Sequence, residues 1–256
     1  MYIDSHCHLT DEQFAEDLPA VLARARAAKV SGILCPGVTL EDSRTAVEIA
    51  NAHKVWAAVG VHPHEAKTFT DGTPDELRKL MSDKRVLGIG EIGLDFHYNL
   101  SSPEEQMTAF RAQLELARSL KKPAIIHSRE APGETMEVLE AVADGRPLRG
   151  IMHCFTGDAA MAERCWKLGL HISFSGILTF KNAEALRLVA GAVPPDRLLI
   201  ETDAPYLTPV PRRGERNEPC NVTLTAKILA DIRGLTVHEL SAITIYNFKR
   251  LFHPPS

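Results

Sequence analysis

Eight short stretches of the chain carry near-continuous apolar or small residues, with helical spacing between them. They span residues 2–9, 30–38, 55–63, 86–95, 123–129, 149–156, 169–178 and 198–205. Runs such as Ser31-Gly32-Ile33-Leu34 and Ala124-Ile125-Ile126 lack the alternation of a half-exposed strand. They read as strands buried on both faces, as in a parallel sheet covered by helices. Between the stretches, apolar residues recur every three or four positions. Met107, Phe110, Leu114 and Ala117 form one stripe over 104–120, opened by the start signal Ser101-Ser102-Pro103. Met161, Cys165 and Leu168 form another over 159–168.

Eight repeats of strand and helix predict an α/β fold, a single (β/α)8 or TIM barrel over residues 1–256. No glycine-rich phosphate loop follows the first strand, which argues against an open dinucleotide-binding sheet. A loop rich in proline and arginine, 204–219, leads from the last strand into extra C-terminal helices near 220–233 and 237–251. Thr236, with Glu239 three residues on, has the form of a capping box.

Composition narrows the setting. The five cysteines form no CxxC pair and read as free thiols of a reducing compartment. Met1 runs directly into the first functional-looking residues, and no apolar run approaches membrane-spanning length. A cytoplasmic protein with no membrane contact is expected, and nothing implies an obligate protein partner. The formal net charge of -4 gives no global pull towards nucleic acid. An anionic substrate would need local cations.

The histidines and acids fall in a telling order. His6 and His8 sit two apart on the first strand, so both side chains are expected on the barrel's inner face. Glu91 comes late in strand four, His127 late in strand five, His153 in strand six and Asp203 at the end of strand eight. Barrel enzymes keep their active sites at this C-terminal rim. Taken singly, each residue is no more than a satisfied polar group. As a set they would bury many charges and imidazoles together, a cost that metal coordination relieves. Histidine with carboxylate and without cysteine suits Mg2+, Mn2+ or Zn2+. No lysine stands where a carboxylated lysine could bridge two ions, which leaves Glu91 as the bridge. The expected division puts His6, His8 and Asp203 on one of two divalent metal ions, and His127 and His153 on the other.

Seven motifs then appear in order: Asp4-Ser5-His6-Cys7-His8, Gly60-Val61-His62-Pro63-His64, Gly90-Glu91-Ile92-Gly93-Leu94-Asp95, His127-Ser128-Arg129, His153-Cys154-Phe155, Phe174-Ser175-Gly176 and Glu201-Thr202-Asp203-Ala204-Pro205-Tyr206-Leu207. With Arg216-Asn217-Glu218-Pro219 and the closing segment 247–252, the chain resembles the TatD family of metal-dependent deoxyribonucleases, within the amidohydrolase superfamily. The resemblance implies the same six ligands. It further implies a nuclease hydrolysing DNA, with RNA as a second candidate and 3′-to-5′ exonuclease action as its form. Departures are mild: Glu130 stands where Asp is more common in the family, and Thr156 where Ser is usual. Neither is a ligand position.

Around this set, His62 and His64 close strand three and are candidates to touch a phosphate oxygen. Glu201 shares a face with Asp203 and is placed to orient a ligand histidine. Arg129, Arg212, Arg213 and Arg216 are candidates for phosphate contact, against the plainer reading of a solvated charge run. Phe96, His97, Asn99 and Tyr206 are placed to meet a base. Asp203 is the expected proton acceptor. Two rivals remain: a hydrolase of a small ester, amide or phosphate on the same metals, and a non-catalytic binding module.

Overall fold

The computed structural model describes residues 1–255. Its eight strands are all parallel, in the order β1 Tyr2–Asp4, β2 Val30–Pro36, β3 Trp56–Val59, β4 Val86–Asp95, β5 Ala124–Arg129, β6 Gly150–Met152, β7 His171–Phe174 and β8 Leu198–Ile200. The seam between first and last strands is closed beyond their formal ends. Ser5 N donates to Ile200 O (3.1 Å), Asp203 N to His6 O (3.0 Å) and His8 N to Ala204 O (2.8 Å). Helices α1 Leu18–Ala27, α2 Leu40–His53, α3 Thr73–Leu80, α4 Pro103–Ser119, α5 Pro132–Ala143, α6 Ala159–Lys167 and α7 Glu184–Ala192 fill the crossovers, and α8 Val222–Arg233 and α9 Val237–Phe252 follow the last strand. The expected α/β barrel with extra C-terminal helices is the observed fold.

Several strands are shorter than their apolar runs. β1 stops at Asp4 because that carboxylate, rather than the next strand's backbone, takes the Thr202 amide (2.9 Å) and hydroxyl (2.5 Å). β6 stops before His153 and β8 before Glu201. Cys154 and Asp203 adopt left-handed backbone (φ 41° and 58°) that no ladder continues. The sequence reading put His6, His8, His62, His64, His153 and Asp203 on strands. The structure puts them on the first residues past strand ends, where side chains leave the pleat.

The interior is layered. Ile3, Leu34, Ala58, Leu87, Ile125, Ile151 and Leu199, from seven strands, pack with Phe248, Leu251 and Phe252 of α9. Trp56 stacks on Phe248 (centroids 5.2 Å), so α9 plugs the floor. α9 is anchored through Asn247, whose amide donates to Leu198 O (3.0 Å), and it starts at the expected Thr236–Glu239 capping box. A period of two carries Ile125 to His127, Ile151 to His153 and Leu199 to Glu201, so polar groups stand directly above the apolar layer. Among the described residues, no helix is long and apolar enough to cross a membrane.

One histidine lies apart from this upper layer. His171, at the start of β7, is buried, and neither ring nitrogen has a hydrogen-bond partner among the described residues. Burial, with Arg197 and Arg250 nearby, outweighs Asp196 and the Gly150 backbone and holds its imidazole down from 6.5 to about 4. Unfolded, it takes a proton near 6.5. Between these values the unfolded state binds more protons, so stability falls as pH falls. The effect approaches about 3 kcal/mol once pH reaches 4. His171→Leu should remove that part of the dependence. Urea denaturation of both proteins at pH 7 and pH 5 checks this: the gap between them should shift in the variant's favour at pH 5. An unchanged gap would contradict it.

Candidate metal centre

Glu91 lies in the middle of the upper layer and is almost wholly buried, at 2% exposed. Its Oε1 faces His153 Nε2 (2.8 Å), His127 Nδ1 (2.9 Å) and His62 Nε2 (3.4 Å). Its Oε2 faces His6 Nε2 (3.2 Å) and His8 Nε2 (3.6 Å), with Asp203 Oδ1 beyond them at 3.7 and 3.4 Å. All six residues expected as ligands therefore converge on one mouth. Getting Glu91 there depends on its glycines. Gly93 has φ +141°, and a Cβ on it would lie 1.9 Å from His127 O, so strands β4 and β5 could not close around the carboxylate.

Neighbouring acids fix which nitrogen of each ring points inward. His153 Nδ1 donates to Glu201 Oε1 (3.2 Å), which also accepts the Cys154 amide (2.6 Å). That leaves the Nε2 lone pair towards Glu91. His127 Nε2 donates to Asp95 Oδ2 (3.2 Å), which turns the Nδ1 lone pair inward. The inward nitrogens of His127 and His153 then stand against one another, Nδ1 to Nε2 at 3.2 Å, and His6 Nε2 lies 3.1 Å from His8 Nε2. Glu91 Oε2 is buried with no hydrogen-bond donor. Lone pairs facing lone pairs around a buried carboxylate are what a cation resolves, and the donors His6, His8 and Asp203 and the donors His62, Glu91 and His127 form compact groups.

The electrostatics make the same demand. Burial alone would raise the Glu91 carboxyl, but His153, His62 and His6 hold it well below the usual range. Burial disfavours charge on His153, yet Glu91 and Glu201 outweigh it and push its imidazole well up. Asp203, buried as well, is held down by His8, His153 and His6. The site asks for positive charge, which divalent ions supply without titrating.

His62 is different. Its Nδ1 accepts the His64 amide at the start of a short 3-10 helix, Pro63–Thr68 (3.1 Å), and burial lowers its imidazole to about 4. A neutral ring accepting at Nδ1 carries its proton on Nε2, so His62 presents a donor to the centre. It sits among the ligands with a donor's tautomer. His64 lies farther out, its Nε2 on Asp95 Oδ2 (2.9 Å).

The arginines separate. Arg129 lies over the Tyr98 ring (4.8 Å) with no acidic partner among the described residues, since Glu130 turns to His97 (2.7 Å). Arg216 is held by Asp17 (2.8 and 2.9 Å) and Glu218 (2.9 Å) and lies over Phe14, a structural tie that leaves it less free for the expected phosphate contact. Arg213 donates to Thr208 O (2.8 Å) over Phe180. Arg212 faces Glu215 (3.7 Å) in a groove with Arg24 and Glu218 that holds none of the metal-site residues. These three do not form a free cationic rim.

Asp95 was missed as an orienting acid, although it ends a quoted motif. So were Gln106 and Gln113 on α4. Gln106 bonds the Asp95 amide (2.8 Å) and carbonyl (3.1 Å), and Gln113 bonds the Val61 amide (2.7 Å) and carbonyl (3.0 Å). Asn217, fully buried, ties Thr202 O (3.0 Å) and Tyr206 O (2.6 Å) and so fixes the turn that carries Asp203. Their position beside the apolar stripe of α4, or within a loop, gave no sign of burial.

A parallel barrel with histidines and carboxylates gathered at its C-terminal mouth defines a metal-dependent hydrolase. The chain belongs to the TatD related DNase family, whose profile matches residues 3–253. It is 40% identical over 253 residues to the uncharacterized metal-dependent hydrolase YabD of Bacillus subtilis, covering 98% of this chain and 99% of that protein. It is also 40% identical to the protein named 3′-5′ ssDNA/RNA exonuclease TatD of Erwinia amylovora, covering 97% of this chain and 98% of that one. The crystal structure of the TatD homologue YjjV from Escherichia coli superposes with a TM-score of 0.92 at 29% identity, over 99% of this chain and 98% of that one.

Because Arg216 holds Asp17 and Glu218, Arg216→Ala should lower stability by about 1 kcal/mol. It should leave the salt dependence of oligonucleotide binding unaltered. Unchanged stability with a log–log salt slope flattened by about 0.7 would return Arg216 to phosphate contact. Thermal denaturation and binding at several salt concentrations decide between the two.

Proposed function

We propose that this hydrolase cleaves phosphodiester bonds of DNA, with RNA as a second substrate, as a 3′-to-5′ exonuclease using two divalent ions. The observation that carries this reading is the division of the Glu91 oxygens. Oε2 faces His6 and His8 with Asp203 behind them, and Oε1 faces His127 and His153. His6, His8 and Asp203 would hold one ion, His127 and His153 the other, with Glu91 shared; Mg2+, Mn2+ and Zn2+ all suit these donors. When bound, such a pair polarises a phosphate and makes water a stronger acid. The relatives named 3′-5′ ssDNA/RNA exonuclease support nucleic acid as the substrate.

The chain's own groups supply the rest. Asp203 Oδ1 faces His8 Nε2 (3.4 Å), and the other carboxylate oxygen is the one to take a proton from the attacking water. His62 donates its Nε2 proton to a phosphate oxygen, a role its tautomer permits. Glu201 and Asp95 hold His153 and His127 in the tautomers that present lone pairs. His64 lines the approach, and Arg129, without an acidic partner among the described residues, is left free to meet the substrate.

Metal-reconstituted protein should shorten end-labelled single-stranded DNA and RNA one nucleotide at a time from the 3′ end. Hydrolysis of a small ester with no oligonucleotide cleavage would overturn the nuclease reading. Asp203→Asn keeps the size and a weakly ligating carbonyl but cannot take a proton. Its kcat should fall roughly a hundred- to ten-thousand-fold, with metal content measured on the same preparation. If more than about a tenth of the rate survives with the metals bound, Asp203 is not the base.

A further inference from the structure

Beside the metal donors, a cleft of about 350 Å3 opens between the ends of β5 and β6. One wall is His153, and the cleft therefore shares a side chain with the centre itself. Its floor is apolar and well buried: Met152, Phe155 and Met161 are 1, 4 and 7% exposed. Arg129 also lines it, its guanidinium over the ring of Tyr98 with Cζ 4.8 Å from the centroid. Tyr98 is half exposed, yet it is held in place. His64 meets it edge to face (5.4 Å, 89°), and His97, tied to Glu130, meets it at 4.7 Å. Arg129 is thus a flat cation, backed by an aromatic ring and without an acidic partner among the described residues, in a cleft lined by apolar side chains. Thr156, Glu130 and Ser128, whose hydroxyl meets that of Thr135 (2.8 Å), supply the polar lining.

That chemistry selects a flat ring. A phosphate or carboxylate would match the arginine but lose its solvation against two methionines and a phenylalanine. An aliphatic chain would match the floor and leave Arg129 idle. A nucleobase satisfies both, stacking on the guanidinium plane and on the apolar floor while its edge meets hydroxyls. The volume lies near the lower end of small-ligand sites, enough for one base and its sugar.

We propose that this cleft binds the base of a nucleotide adjoining the scissile phosphate, stacked on the Tyr98–Arg129 pair. The proposal rests on the nuclease reading and adds a base subsite to it. It favours unpaired bases, because a base next to the cut enters the cleft only after it leaves its pair.

The test is a scan of single-stranded DNA oligonucleotides carrying one abasic residue at successive positions. For the wild-type enzyme, KM should rise roughly ten-fold at one position beside the cut and change little elsewhere. Arg129→Ala and Tyr98→Ala should each raise KM for the intact strand and nearly abolish the abasic penalty, with metal content and fold unchanged. Arg129→Lys distinguishes stacking from charge, since lysine keeps the charge and loses the plane. It should behave like the alanine variant. A flat scan in the wild type, or full rescue by lysine with the penalty intact, would overturn the subsite. Hydrolysis of a small phosphodiester with no oligonucleotide cut would instead sink the nuclease reading, and the subsite with it.

Discussion

A carboxylate buried inside a protein has to be met by hydrogen bonds, a proton or positive charge, and for Glu91 the groups gathered around it call for positive charge. Five histidine nitrogens approach its two oxygens within 3.6 Å. Most of the unusual features of the upper barrel serve this one side chain. Gly93 is bare so that β5 can come close. Asp95 and Glu201 turn His127 and His153 so that lone pairs face inward. Asp4 binds Thr202 across the seam, which brings the His6–His8 segment against the turn that carries Asp203.

Rigidity below makes that precision possible. The apolar layer and the aromatic plug from α9 hold the strands at fixed spacing, and each inward position above them inherits its aim from the pleat. Where the pleat would aim a side chain wrongly, the chain leaves it. Asp203 takes a left-handed conformation, and Asn217 ties the carbonyls on either side of it. His6, His8, His153 and Asp203 thereby sit on short segments just past strand ends, while Glu91 and His127 stay within β4 and β5, and buried amides of α4 and of the last loop brace the layer.

Much of this was legible in the sequence. Eight doubly buried apolar runs specify a parallel barrel, and the positions of His6, His8, Glu91, His127, His153 and Asp203 relative to those runs place them at one rim. What was not legible is instructive. Gln106, Gln113 and Asn217 look like surface residues, because burial of an amide depends on which backbone groups a distant segment leaves unpaired. Arg216 looked like a rim cation because Asp17, its partner, lies almost two hundred positions away. Tyr98 passed unnoticed among the aromatics of its loop, since only the fold brings Arg129 onto its ring. Local patterns reveal strands and metal donors; pairing between remote polar groups does not announce itself.

The most direct test of the proposed centre is anomalous diffraction from crystals grown with Mn2+. The account predicts two peaks flanking the Glu91 carboxylate, one held by His6, His8 and Asp203 and the other by His127 and His153. A single peak, or two peaks with Glu91 bound to neither, would contradict it.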